Sequence, residues 1–337
     1  MFLRGAEKMA SISKSLNIGN LDFSEDSFAL DVVSGLSTFP KHISPKYLYD
    51  ERGSRLFQEI MQLREYYPTQ CEVEIMQHYG DKISAKVGKG TLRILELGSG
   101  DGEKTRILIR QLLKNNNVEY IPIDISKDMI AEIVHEFEEE FHTDSLTVTG
   151  IASDYISALR WLHHQPEMRT LILFLGSSIG NFEEEKLFPF LLEIWNALSK
   201  GDWALIGFDL KKDISVLEAA YNDSKGVTKE FNLNLIDRIN RELDGNFRRE
   251  LFVHHVFYNP AFGRMESWLV STAVQKIELK KLKKKFLLDA WEGIHLESSY
   301  KYTVEQIQNY AEKSGFKTTA LYTDVDGYFL EALWQKN

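Results

Sequence analysis

The chain has one cysteine, Cys71, among 337 residues, which excludes an internal disulfide and supplies no thiolate cluster for a metal. A reducing, cytoplasmic setting is expected. The nine histidines show no ligand spacing, and the pairs His163-His164 and His254-His255 would face opposite ways on a strand, so no metal site is expected. No run of about 18 apolar residues occurs, and the first residues lack an apolar leader segment, so neither a membrane span nor a secretion signal is expected. Positive charge is also short. A formal net charge of −10 argues against a nucleic-acid partner, because such binding draws most of its affinity from neutralised phosphates. The one basic run, Lys280 to Lys285, reads as a solvated edge.

Apolar residues make up 43% of the chain, enough for a sizeable core. Residues 1–20 are polar and serine-rich and are expected to be frayed. Residues 26–63 show amphipathic helical spacing, and Pro68 then breaks the pattern, directing Tyr67 towards an extended conformation. From Cys71 a regular alternation begins, with strands at 91–98, 118–125, 145–153, 169–176 and 202–209 separated by amphipathic helices. That rhythm predicts an α/β fold with a doubly wound, mostly parallel sheet. After Asp209 it gives way to helices at 213–222 and 226–243 and two long strands, 250–258 and 264–278, joined by Asn259-Pro-Ala-Phe-Gly263. The sheet pattern then resumes, with a capping box at Thr303 and Gln306, a strand at 317–324, the turn signal Asp326-Gly327 and a last strand at 328–335. Two domains are expected: a sheet domain of residues 67–209 and 300–337, and a smaller α+β substrate-binding domain of residues 21–66 and 210–299.

Gly98, Gly100 and Gly102 lie where the first of these strands meets its helix, and Asp124 closes the next strand. Glycines there allow backbone N–H groups to approach a ligand, and the acid suits ribose hydroxyls. The closing hairpin separates the candidate cofactors. A dinucleotide-dependent oxidoreductase sheet ends in parallel strands, whereas a last antiparallel strand tucked in by a hairpin resembles the seven-stranded class I methyltransferase sheet. Glu96-Leu-Gly-Ser-Gly-Asp-Gly102 likewise resembles that class's E/D-x-G-x-G-x-G motif, which holds S-adenosyl-L-methionine. In this reading Gly98, Gly100 and Asp124 hold the adenosyl ribose end, Asp154 and Tyr155 meet the adenine, and Lys104 lies by the methionine carboxylate. Helix capping is the competing role for the two aspartates.

Seven ordered segments carry a closer resemblance. They are Tyr49-Asp-Glu-Arg-Gly-Ser54, Arg64-Glu-Tyr-Tyr-Pro-Thr69, the glycine loop through Arg106, Phe174-Leu-Gly-Ser-Ser-Ile-Gly-Asn181, Ala220 to Asn232, Asn240-Arg-Glu-Leu243 and Leu296-Glu-Ser-Ser-Tyr-Lys-Tyr302. Together they resemble the L-histidine Nα-methyltransferase family of ergothioneine biosynthesis, from about residue 30 to the C-terminus. The resemblance implies trimethylation of the histidine α-amine to hercynine. It places Tyr66, Asn181 and Tyr221 around the amino acid, Tyr49 with Asn181 at the reacting amine, and Glu297, Ser298 and Ser299 at the imidazole. If 296–300 is extended, Glu297 and Ser299 share one face, and a carboxylate plus a hydroxyl match the two nitrogens of one tautomer. An α-amine titrates near ~7.7–8.0, so no obligatory general base is expected. The chain departs from the family at Ser267, where related histidine enzymes carry methionine, so another aromatic or basic amino acid remains the alternative acceptor. No D/N-P-P-Y motif follows the fourth strand, which counts against DNA or protein substrates. A small molecule acted on by a monomer is expected.

Overall fold

The computed structural model describes residues 14–17 and 25–337. Strand β1 (Lys14–Asn17) is followed by α1 (Glu25–Leu36), the two-residue β2 (Lys41–His42), α2 (Glu51–Met61) and α3 (Tyr67–Val87). Strict alternation follows through β3 (Gly90–Leu97), α4 (Glu103–Leu112), β4 (Asn116–Asp124), α5 (Lys127–Glu140), β5 (Leu146–Ala152), α6 (Tyr155–His163), β6 (Thr170–Phe174), α7 (Glu184–Ala197) and β7 (Trp203–Asp209). Helices α8 (Ile214–Tyr221) and α9 (Val227–Leu243) then lead into β8 (Phe252–Asn259), β9 (Arg264–Ser271), β10 (Gln275–Leu279), β11 (Lys284–Leu288) and β12 (Gly293–Tyr300). The chain closes with α10 (Val304–Lys313), β13 (Phe316–Thr323) and β14 (Phe329–Lys336).

The main sheet has the order β1-β5-β4-β3-β6-β7-β14-β13. Only β14 runs against its neighbours, pairing antiparallel with β7 on one side and β13 on the other. Its position follows from the tight Asp324 to Gly327 turn, where Gly327 takes φ 65°. Every residue of β6 and β7 is buried, because helices cover both faces of the sheet and the strands need apolar side chains on both. One core packs α3, α4 and α5 on one face, and a second packs α6, α7 and α10 on the other. The expected capping box at Thr303 and Gln306 is present at the start of α10.

A second, four-stranded sheet, β2-β12-β9-β8, has its own apolar core with α1, α2 and α9, built from residues such as Val32, Tyr47, Ile236 and Leu269. Strand β12 then runs directly back to the main sheet, where Tyr302 N–H bonds the carbonyl of Asp209.

Three local expectations change. The seven-stranded sheet gains an eighth strand, because Lys14–Asn17 pairs parallel with β5; the rest of residues 1–20, expected to be frayed, lies outside the described residues. Tyr67 is not extended but is the first residue of α3, since a proline in the first helical turn gives up only an N–H that has no partner there. The strand expected over 264–278 breaks after Ser271, and its second half pairs with β11 instead. The basic run is exposed, with the Lys280 and Lys285 side chains 63% and 77% accessible. No described helix is long and apolar enough to cross a membrane.

Candidate functional site

The candidate cofactor residues follow the carboxyl ends of parallel strands of the main sheet, the edge at which open α/β sheets bind ligands. Gly98, Gly100 and Gly102 take φ of 74°, 55° and 67°, which side-chain-bearing residues rarely adopt. A Cβ on Gly98 would stand 2.8 Å from the Tyr155 hydroxyl, and one on Gly102 would stand 2.9 Å from the Phe137 ring. Around Gly100 nothing lies within 4 Å of such an atom, so this side of the loop is open.

Asp124 ends β4, the strand that pairs with β3. Its carboxylate accepts the Ser126 N–H at 3.0 Å and that of Gly100. Burial lifts its pKa above the ordinary value, although the Ser126, Gly100 and Ile125 N–H groups oppose the shift. Asp154 caps α6, its side chain accepting the Ser157 N–H at 2.9 Å. It thus fills the competing capping role, while Tyr155 beside it stands edge-on to Phe174 with ring centres 5.3 Å apart.

Lys104 is not free at the mouth of the loop. Its ammonium lies 2.7 Å from Glu72, whose other oxygen accepts the Gly176 N–H at 2.5 Å. Burial works to lower the Lys104 pKa, but Glu72 outweighs it and holds the group charged. A second buried acid, Glu331 of β14, stands next to this pair. Burial first and then the Glu72 charge push its pKa well above normal. Neither glutamate was singled out from the sequence, since nothing local distinguishes them from surface acids.

The acceptor residues come from four separate segments. Tyr49 precedes α2, Tyr66 caps α3, Tyr221 ends α8, and Asn181 ends a short 3-10 turn, Ser178–Asn181. Tyr49 packs edge-on against Phe57 and Phe231, with ring centres 5.4 and 5.3 Å apart. Burial drives its phenol pKa well above normal, helped by Glu297, Tyr155, Tyr221 and Asp124. Tyr66 is pushed the same way, by burial and then by Tyr221, Tyr49 and Glu297. The charges and phenols on the cofactor side and the acceptor side are therefore close enough to act on one another.

Glu297 is hydrogen-bonded to Asn181, and burial pushes its pKa up to about 7 against the pull of Lys301 and of that bond. Ser299, on the same face of β12, accepts the Tyr221 hydroxyl at 2.7 Å. Ser298, expected beside them, turns to the other face, where its Oγ lies 3.1 Å from His295 Nε2. Strand periodicity requires this: neighbours on a strand cannot share a face. Ser267 sits opposite Glu297 in the β9–β12 register and is buried.

Beneath these residues lies a charged group that sequence reading missed. Asp209, the last residue of β7, accepts the Tyr67 hydroxyl at 2.7 Å and the Lys301 ammonium at 2.8 Å, and also pairs with Lys212. Burial alone would raise the Asp209 carboxyl, yet Lys301 and Lys212 hold it below its usual value. The available signal was positional: Asp209 ends a parallel strand at the ligand-facing edge.

A sequence-family model described as "Histidine-specific methyltransferase, SAM-dependent" matches residues 28–336. The chain belongs to that family. The histidine N-alpha-methyltransferase of Mycolicibacterium smegmatis is 33% identical over 313 residues, 91% of this chain and 94% of that protein. A protein of the same description from Mycobacterium tuberculosis is 33% identical over 300 residues, covering 89% and 92% of the two chains. A 4-dimethylallyltryptophan N-methyltransferase of Claviceps purpurea is 27% identical over 322 residues, covering 89% and 92%. This methyltransferase thus uses S-adenosyl-L-methionine, and the residues present fit it. Gly100 leaves the loop open, Asp124 offers a carboxylate at the end of β4, and the Tyr155 ring lies beside them.

Proposed function

We propose that this methyltransferase adds methyl groups to the α-amine of L-histidine until the amine is trimethylated, yielding hercynine. One observation carries the reading. Glu297, held by Asn181, and Ser299 share a face of β12, Ser299 is bonded to Tyr221, and Glu297 stands near enough to Tyr49 to raise its phenol pKa, as do Tyr155 and Asp124. A ring with one N–H and one bare nitrogen suits a carboxylate beside a hydroxyl, and its amine then points back towards the methyl donor.

When bound, the cofactor supplies a methyl group on a cationic sulfur, which leaves as a neutral thioether. Asp124 would hold the ribose hydroxyls, Tyr155 with Asp154 the adenine, and Lys104 the methionine carboxylate while keeping its bond to Glu72. Asn181 and Tyr221 would flank the amino acid's backbone end, the Asn181 amide donating to its carboxylate, with Tyr66 closing over it. Because Tyr49 is driven well above its normal pKa, it stays a phenol and orients the amine lone pair by hydrogen bonding rather than abstracting a proton. The amine itself titrates near ~8, so a neutral fraction is at hand and alignment is the main demand. On this reading the enzyme acts as a monomer in the cytoplasm, with residues 21–66 and 210–299 serving as the substrate-binding domain.

The test is incubation with isotopically labelled cofactor and each of the twenty amino acids, read by mass spectrometry. Trimethylated histidine is expected. Because Ser267 leaves a small residue opposite Glu297, a product from another aromatic or basic amino acid with none from histidine would replace the substrate assignment.

A further inference from the structure

Lys301 is wholly buried, carries no exposed surface on its side chain, and was assigned no role above beyond its pairing with Asp209. An ammonium has three protons and accepts nothing. Here each proton has one acceptor: Asp209 Oδ2 at 2.8 Å, the Tyr221 hydroxyl at 2.9 Å and Ser299 Oγ at 2.9 Å. The two hydroxyls also bond each other at 2.7 Å, with Tyr221 donating to Ser299. Ser299 Oγ therefore has both lone pairs occupied, one by Lys301 and one by Tyr221. Its own proton is the only hydrogen-bonding capacity it has left.

We propose that Lys301 is a positioning residue that fixes Ser299 as an obligate hydrogen-bond donor beside the acceptor Glu297, so that the pocket selects a ring with one bare nitrogen next to one N–H. The proposal rests on histidine being the amino-acid substrate. Without Lys301, Ser299 Oγ regains a free lone pair and can accept a ring N–H, so the pocket no longer demands a bare ring nitrogen. Asp209 would keep Lys212 and the Tyr67 hydroxyl as partners, so its charge is not stranded in the variant.

The test is calorimetric binding at pH 8 with S-adenosylhomocysteine present, so that no methyl transfer occurs. Two ligands are compared: histidine and 3-pyrrolylalanine, which keeps a ring N–H and lacks the bare nitrogen. Wild-type protein is expected to prefer histidine by at least ~10-fold, since the pyrrole leaves the Ser299 proton buried and unpaired. Lys301→Met is expected to reduce that ratio to within ~3-fold, whereas loss of mere structural support would weaken both ligands alike and leave the ratio intact. An unchanged ratio in folded Lys301→Met overturns the assignment, as does a wild-type protein that binds the two ligands equally. As a measurement independent of the variant, nitrogen-15 spectra of ring-labelled histidine bound to wild-type protein should show one fixed neutral tautomer. A bound imidazolium would overturn the assignment while leaving histidine as substrate. Failure of wild-type protein to bind histidine at all would overturn the substrate reading, and the Lys301 role with it.

Discussion

Lys104 Nζ lies 2.7 Å from Glu72 Oε2, and the Glu72 side chain is 1% exposed. The pair joins helix α4, which follows the glycine loop, to helix α3, and through the Gly176 N–H it also fixes the loop after β6. Three pieces of chain that border the cofactor are thus held by one carboxylate. Glu72→Ala leaves a largely buried ammonium and a backbone N–H without partners, so a loss of ~3–5 kcal/mol is expected in urea unfolding. Glu331→Gln should behave oppositely. Its folded-state pKa is raised, so the acid contributes stability below its unfolded pKa and loses it as pH climbs through the raised value. The amide cannot ionise, so the variant is expected to match wild type near pH ~4 and to exceed it increasingly as pH rises above the unfolded value of 4.5.

Asp124 bears on the methyl donor alone. Asp124→Ala removes the carboxylate facing the open side of Gly100 and is expected to weaken S-adenosylmethionine binding by ~10–100-fold, the usual worth of hydrogen bonds to a charged group. Isothermal calorimetry reads this directly, and fluorescence-monitored unfolding should show little change in the cofactor-free protein.

Glu297 gives the site a pH dependence. With burial pushing its pKa from the usual 4.5 up to about 7, it is largely protonated in the ligand-free protein at pH 6. The carboxylate accepts a ring N–H more strongly than the neutral acid does, so histidine affinity should rise with pH through about 7 and then level, and Glu297→Gln should shrink that step to the part set by the ligand ring's own titration near ~6.5. For stability the sign is reversed. A raised carboxyl pKa means the contribution is fully present below about 4.5 and is lost as pH rises through about 7. Glu96, buried and also pushed up to about 7, adds to this loss through the same cause. Thermal unfolding at pH 6 and pH 8 should show the empty protein less stable at the higher pH, with added histidine narrowing the gap.

Gly180 sets the distance between Asn181 and the end of β12. A Cβ there would stand 2.8 Å from the Tyr300 carbonyl oxygen and 3.3 Å from Ser299 Oγ, so backbone must give way. Gly180→Ala is expected to lower kcat/KM for histidine by ~100-fold, the effect of an ångström-scale misplacement of binding groups. Cofactor affinity, governed by the β3 and β4 loops, should stay within a few-fold.

Much of the fold was legible because local signals agreed with one another. The alternation of apolar strands and helices gave the parallel sheet, and Asp326-Gly327 gave the antiparallel last strand. Smaller misses also have physical causes. Tyr67 before Pro68 was expected to be extended, but it opens α3 and its hydroxyl is bound to Asp209, a tertiary contact that no local preference reveals. Ser298 was grouped with Glu297 and Ser299 by sequence proximity, and strand alternation turned it to His295 instead.

The sequence by itself determined the glycine loop, the acid at the tip of β4, and the spacing that puts Glu297 and Ser299 on one face. These depend on backbone preferences and periodicity, which act over a few residues. Only the tertiary structure decided how the charges are shared out. It bound Lys104 to Glu72, raised the pKa of Glu331, and set Asp209, Lys212 and Lys301 beneath Tyr221 and Ser299. Several of these pairings span long stretches of chain, 32 positions between Lys104 and Glu72 and 80 between Lys301 and Tyr221, and their strength comes from burial, which exists only once the strands and helices have packed.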